Sequence, residues 1–284
     1  METLPLKLLL TPALIAAASL AGRRWGPAIG GWLVGLPFTS APVALIVTLT
    51  HGTRFGSAVA VGILAGTASQ VGFAAAYAWS ARRLRWPLAF GCGCAGFGAC
   101  TVLFEPLPLA LLPTLPLALA ALGTGLLVLP RPAPDRTRTA AAYPAWDLPA
   151  RMVAATILVA VLTTIAPALG PHLTGLLTPF PLYAAVLTVF SHRQHGPEAG
   201  IGVLRGLLLG LFAFSAFFTV LAALLVPAGP GLGFVGALAA ALSVQGASLL
   251  VLRSRARRSS RSSGSLRSSG DASVASDPER PGAG

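Results

Sequence analysis

Apolar residues in this chain fall in unbroken blocks of about 20, and most charged side chains lie between the blocks. A helix of about that length crosses the ~30 Å hydrocarbon layer of a bilayer, whereas a membrane β-barrel needs alternating strands of about 10 residues. Charged residues make up only 10% of the chain, against roughly 25% in soluble domains. The sequence therefore predicts an all-α, polytopic membrane protein.

The blocks predict nine transmembrane helices in two groups of four. They lie at about 6–22, 28–50, 56–79, 86–104, 107–129, 150–168, 172–191, 200–226 and 231–252. We divide the chain into a membrane repeat at 1–104, a connector helix with a cytoplasmic linker at 105–149, a second repeat at 150–252 and a tail at 253–284. The tail is rich in Ser and Arg, so we expect it to be disordered. The first block is predicted to be a retained helix, since Arg23 and Arg24 follow it.

Arginine is concentrated on one side of the predicted membrane. With the N-terminus outside, the outer segments hold little beyond Arg54. This bias predicts a cytoplasmic C-terminus, and it collapses if the fifth block does not cross. The net charge of +12 is then explained by arginines that orient the chain in the membrane and by a tail that is attracted to anionic lipid. We expect no nucleic-acid partner. The cytoplasmic arginines are Arg23, Arg24, Arg82, Arg83, Arg85, Arg131, Arg136, Arg138, Arg193 and those of the tail.

An ungapped internal repeat relates the two groups of helices at an offset of 144 residues. From Gly26 to Phe73 it gives 14 identities over 48 positions, most of them Gly, Pro or His. Helices 1–4 correspond to helices 6–9, with helix 5 between them. This odd number of crossings predicts that the second repeat is inverted in the membrane. Inverted repeats are typical of secondary transporters, although duplication for a stable bundle remains an alternative.

Prolines interrupt both repeats at matched depths, within Gly35–Pro42 and within Pro179–Tyr183. Proline removes a backbone donor, and paired helix interruptions are a sequence pointer to a transporter site. For the prolines, an ordinary helix kink is the alternative. For Gln70 and Gln245 the alternative is a hydrogen bond between helices, and for Arg205 it is snorkelling to the membrane surface. The candidate substrate-binding residues are Pro37, Thr39, Ser40, Gln70, Pro181, Tyr183, Arg205 and Gln245.

Signatures of catalysis or metal binding are missing from the sequence. Three cysteines (Cys92, Cys94 and Cys100) share one apolar block without a fourth ligand. There is no P-loop, His-Glu-x-x-His motif or Gly-x-Ser-x-Gly motif. We therefore predict no catalytic residues, no metal site and no cofactor, and we expect that the protein is not an enzyme.

The segment Gly35-Leu36-Pro37-Phe38-Thr39-Ser40 resembles small bacterial multi-pass inner-membrane proteins that carry a Gly-Leu-Pro-x-Thr-Ser pattern. The likeness covers about 20 residues, from Gly31 to His51-Gly52, and the repeat copy departs from it at Leu182-Tyr183. It implies a location in a bacterial inner membrane and names no substrate. The leading hypothesis is a secondary transporter, a permease or exporter, of a small polar solute. A scaffold that recruits partners through the basic tail is the alternative, and a homodimer is left open.

Overall fold

The structure, a computed structural model, describes residues 4–38, 40–104, 110–132, 144–177 and 179–274. Within these residues all regular structure is α-helical, which confirms the all-α part of the predicted fold class, while the nine spans and the inverted repeats stay predictions. The helices are α1 Leu4–Trp25, α2 Pro27–Val34, α3 Ser40–His51, α4 Thr53–Ala81, α5 Trp86–Phe104, α6 Leu111–Val128, α7 Asp147–Leu177, α8 Leu182–His195 and α9 Pro197–Val274.

Several of these helices are long and apolar enough to cross a membrane. Among the described residues they are four: α4, α5, α6 and the part of α9 from Pro197 to Ser248. The shorter helix α3 is also apolar. These helices are compatible with a membrane protein. The four long ones correspond to the third, fourth, fifth, eighth and ninth predicted helices, and α3 lies within the second.

Two of the predicted spans are each divided into separate helices, at the prolines where the sequence predicted interruptions. The predicted helix at 28–50 becomes α2 and α3, and α8 is separate from the end of α7. Prolines explain both breaks, because Pro37 and Pro181 have no N–H to continue the helical ladder. The α7 helix also runs through 169–171, where we expected a turn between the sixth and seventh helices. Conversely, α9 is interrupted at Gly229, whose φ of +77° is not helical.

Matched glycines form the turns that precede the two long helices. Gly52 precedes α4 with a φ of +88°, and Gly196 precedes α9 with a φ of +83°. The two positions differ by 144 residues. A positive φ is readily adopted by glycine and strains most other residues. The His-Gly pairs of the repeat therefore mark equivalent backbone turns.

Residues 1–244 and 245–284 form two compact units. Helix α9 continues to Val274, and 275–284 lie outside the described residues. The division into repeats at 1–104 and 150–252, and the disorder expected of the tail at 253–284, stay predictions.

Polar contacts bring several helix ends together within the first unit. Arg23 at the end of α1 pairs with Asp147 at the start of α7, and Gln194 at the end of α8 contacts the same carboxylate. Arg82, just after α4, lies 3.9 Å from Glu198 at the start of α9. We call the region that contains these five residues the charged end of the bundle. It contains residues that the sequence placed on or near the cytoplasmic side.

Candidate functional site

The first helix break, 35–38, packs closely against α9. A Cβ on Gly35 would lie 2.7 Å from the Gly210 Cα, closer than atoms can approach. The Pro37 carbonyl accepts a hydrogen bond from the Ala41 N–H at 2.9 Å, which restarts a helix as α3. Pro37 is buried and Ser40 half-buried, whereas Thr39 lies outside the described residues.

The second break, 179–181, packs against α4. A Cβ on Gly66 would lie 2.7 Å from the Pro179 Cγ. The Phe180 ring meets the rings of Phe73 and Phe97 edge to face, with centroids 5.7 and 5.3 Å apart. Pro181 is buried and precedes the first turn of α8. This break is therefore held between α4 and α5.

Each of the two breaks packs against the long helix of the other repeat, at matched positions. Gly35 and Pro179 differ by 144 positions, as do Gly66 and Gly210. The first break thus packs on the long helix of the second repeat, and the second break packs on the long helix of the first. This exchange is the relation that a pseudo-two-fold axis between the repeats would produce.

Gln70 faces the second break. It lies on α4 between Gly66 and Phe73, both of which contact residues of that break, and residues three or four apart share a helix face. Its side chain is only 6% exposed. Gln70 is therefore on the face of α4 that contacts Pro179 and Phe180 through its neighbours Gly66 and Phe73.

Other predicted site residues have separate structural contacts. The Tyr183 hydroxyl lies 2.9 Å from the Thr11 hydroxyl and so joins α8 to α1. Arg205 donates to the Leu129 carbonyl at 2.8 Å and to the Leu126 carbonyl at 3.3 Å, which caps the last turn of α6. Gln245 belongs to the second unit. The two carbonyl contacts of Arg205 are thus with the end of α6.

A buried polar network at the charged end was missed from the sequence. The carboxylate of Asp147 is fully buried and accepts hydrogen bonds from Arg23 at 2.7 Å, from Arg151 at 2.9 Å and from Gln194. Burial alone would raise the pKa of this carboxyl, but its hydrogen bonds to Arg151 and Gln194, the charge of Arg151 and the hydrogen bond from Arg23 lower it overall. One carboxylate therefore joins α1, α7 and α8.

A signal for this network was present in the sequence. Asp147 and Arg151 have the i, i+4 spacing that pairs opposite charges on one helix face, and an acidic residue is favourable in the first turn of a helix. The sequence analysis places Asp147 in the linker, three residues before the predicted sixth helix. The pairing with Arg23 needed the tertiary fold.

Tyr77 and His192 form a second buried contact, with the tyrosine hydroxyl 3.1 Å from the histidine Nδ1. It joins α4 to α8 near the charged end. His192 lies just beyond the predicted span at 172–191, and burial lowers its pKa. This burial favours the neutral imidazole.

A small cavity of about 20 Å³ lies where α1, α7, α8 and α9 meet at the charged end. Its walls include Ser19, Arg23, Arg151, Ser191 and His195. Within the described ranges, no group of three His, Cys, Asp or Glu residues could hold a metal ion. Cys100 packs closely against Gly72 where α4 and α5 meet.

Comparison with known proteins gives no relative: no family model, curated protein or solved structure matches the chain. The resemblance carried by the Gly-Leu-Pro-x-Thr-Ser segment therefore stays a prediction.

Proposed function

We propose that this chain is a secondary transporter, a permease or exporter that moves a small polar metabolite across a bacterial inner membrane. The observation that carries the proposal is the exchanged packing of the two helix breaks, Gly35 on Gly210 and Pro179 on Gly66. In transporters built from inverted repeats, substrate sites are formed by interrupted helices at the interface between the repeats. The contact of each interruption with the long helix of the other predicted repeat supports the proposal.

The inverted nine-span topology belongs to the same proposal. If α2 with α3 forms one crossing, then α1 to α6 make five crossings and return the chain to the charged end, where α7 starts. An odd number reverses the second repeat. The hydrogen bonds from Arg205 to the end of α6 and the ion pair of Arg23 with Asp147 support this path, with the N-terminus outside and the C-terminus cytoplasmic.

Polar groups near the breaks supply the proposed contacts to the solute. Backbone groups freed by proline can bind a polar ligand where the irregular chain lines a cavity. Gln70 adds an amide on the α4 face, and Ser40 adds a hydroxyl at the start of α3. Movement of one repeat against the other about this region would expose it to alternate sides.

Uptake into proteoliposomes tests the proposal, with solutes chosen by metabolomics of deletion and overexpression strains. Gln70→Ala is expected to slow transport roughly 5- to 150-fold if the amide binds solute in the transition between states, since losing a buried polar contact costs about 1–3 kcal/mol. Ser243→Ala is the control, because that exposed hydroxyl bonds to the Ala239 carbonyl of its own helix. No movement of any solute across a broad panel would refute transport.

A membrane scaffold is the second candidate, favoured by the separation of residues 245–284 as their own compact unit with several arginines. Crosslinking and mass spectrometry of wild type and of a chain ending at 252 would compare the two proposals. A stable partner that depends on the tail, in a strain whose phenotype also needs the tail, would support the scaffold. Undiminished solute transport by the shortened chain would favour the transporter.

A further inference from the structure

The turn between α4 and α5, residues 82–85, carries exposed arginines at the charged end. Arg82, Arg83 and Arg85 are all exposed. Arg82 already lies near Glu198, whereas the ion pairs within the described residues include neither Arg83 nor Arg85. We call these four residues the α4–α5 turn. Two of its guanidinium groups are therefore available to a ligand from outside the chain.

Apolar side chains lie among these arginines and are exposed as well. Leu84 and Trp86 alternate with the arginines in sequence. Trp79 and Leu88 flank them and are 53% and 61% exposed. The Arg82 guanidinium lies 6.0 Å from the centroid of the Trp79 ring, at the outer limit of a cation–π contact. A surface that mixes basic, aromatic and aliphatic side chains fits the boundary between membrane hydrocarbon and water.

The other exposed tryptophans lie beside charged residues of the same end. Trp25 follows Arg24 at the end of α1, and Trp146 precedes Asp147 at the start of α7. The chain has five tryptophans, and the remaining one, Trp32, is buried. Tryptophan is enriched at the depth of the lipid headgroups. This distribution is the one expected of an end that lies at the membrane surface.

The matched segment of the second copy makes a turn without arginine. At the offset of 144, residues 82–85 correspond to 226–229, which read Val-Pro-Ala-Gly. This segment also interrupts a helix, because α9 has non-helical backbone angles at Gly229. The turn geometry therefore does not depend on positive side chains. Three like charges repel one another, and an anion that lies among them offsets this repulsion.

We propose that the α4–α5 turn is a binding site for the headgroup of an anionic phospholipid. Arg83 and Arg85 would donate charge-assisted hydrogen bonds to the phosphate. The rings of Trp79 and Trp86 would lie at the headgroup level, with Leu88 against an acyl chain. A soluble phosphate or an acidic peptide would leave these apolar side chains in water, which favours a lipid. The site belongs to the first compact unit, so it goes beyond both the proposed transport and the lipid attraction predicted for the tail.

Native mass spectrometry of the full-length protein in zwitterionic detergent tests the site. Titration with phosphatidylglycerol gives the dissociation constant of the bound lipid, and phosphatidylcholine serves as the lipid without net charge. We expect saturable binding of phosphatidylglycerol and much weaker binding of phosphatidylcholine. The double variant Arg83→Gln, Arg85→Gln is expected to weaken binding of phosphatidylglycerol roughly 30-fold, the effect of two arginines near an anionic surface.

A second double variant separates the site from general electrostatic attraction. Arg24→Gln with Arg193→Gln removes two exposed arginines of the same end but outside the turn, so both double variants have the same net charge. The second should bind phosphatidylglycerol nearly as wild type does, and thermal unfolding should verify that both are folded.

Two kinds of result would overturn the proposal. One is equal weakening in the two double variants, or a wild type without preference for phosphatidylglycerol over phosphatidylcholine, because binding would then reflect net charge or general lipid affinity. The other is displacement of the lipid by an equal concentration of glycerol phosphate or of an acidic peptide, because the apolar side chains would then contribute nothing to binding.

Discussion

The last turns of α3 and α8 are matched by the repeat but are held in different ways. Thr48, Thr50, His51 and Gly52 correspond to His192, Gln194, His195 and Gly196. At the end of α3, the two threonine hydroxyls donate to carbonyls of their own helix at 2.7 and 2.9 Å. At the end of α8, His192 contacts Tyr77 and Gln194 contacts Asp147, which lie on other helices.

The comparison separates what the two copies share from what differs between them. The glycine turn is the same in both copies, whereas the side chains beside it are longer in the second copy than in the first. Beyond the α3 turn, Ser57 donates one neutral hydrogen bond to the Ala222 carbonyl at 2.8 Å. The charged end therefore differs from the end of α3 in having buried ionic groups. In a transporter we expect the charged end to be the more tightly closed gate.

The largest expected effect comes from removing the carboxylate at the charged end. Asp147→Ala leaves Arg23 and Arg151 without their shared partner, and breaking a buried ion pair in this way costs about 3–5 kcal/mol. SDS-induced unfolding in mixed micelles measures the loss. Thr50→Ala in the other copy should change stability by less than about 0.5 kcal/mol. Equal losses in the two variants would contradict the difference between the ends.

Much of the backbone was predictable because Gly and Pro determine backbone geometry locally. The breaks at Pro37 and Pro181 and the turn at Gly196 follow from the missing donor of proline and the φ range of glycine. The polar contacts were less accessible to sequence reasoning. Arg205 was expected to snorkel or face a solute, and its contact with the end of α6 joins residues 76 positions apart. Such pairings depend on how helices pack.

The next effect concerns two matched glycines on the long helices. Gly206→Ala would place a Cβ within 2.9 Å of the Ala28 Cα and still nearer its carbonyl, so we expect a loss of about 1–3 kcal/mol from overpacking. Gly62→Ala, its counterpart, meets no atom within 4 Å and should stabilise α4 by up to about 1 kcal/mol. Unfolding midpoints of the two variants measure this, and changes of the same sign would show that the α2–α9 contact is not as close as described.

A smaller effect is expected from the contact between Tyr77 and His192. Tyr77→Phe removes one buried hydrogen bond and should cost about 1 kcal/mol. Thr48→Val is the matched change at the end of α3, where the hydroxyl only adds a second donor to a helical carbonyl. It should be nearly neutral. If Tyr77→Phe and Thr48→Val change the free energy of unfolding equally, the contact between α8 and α4 adds no stability beyond that of the matched position in α3.

The smallest effect is a pH dependence confined to the second copy. Burial lowers the pKa of His192 below its ordinary value of 6.5, so the unfolded chain takes up this proton first as the pH falls. The associated stability is present above pH 6.5 and declines toward the folded pKa, by less than about 1 kcal/mol at pH 6. Unfolding of wild type and of His192→Thr between pH 7.5 and pH 6 measures it. Because His192→Thr introduces the residue found in the first copy, it should flatten this part of the pH profile, and an unchanged slope would assign the dependence to another group.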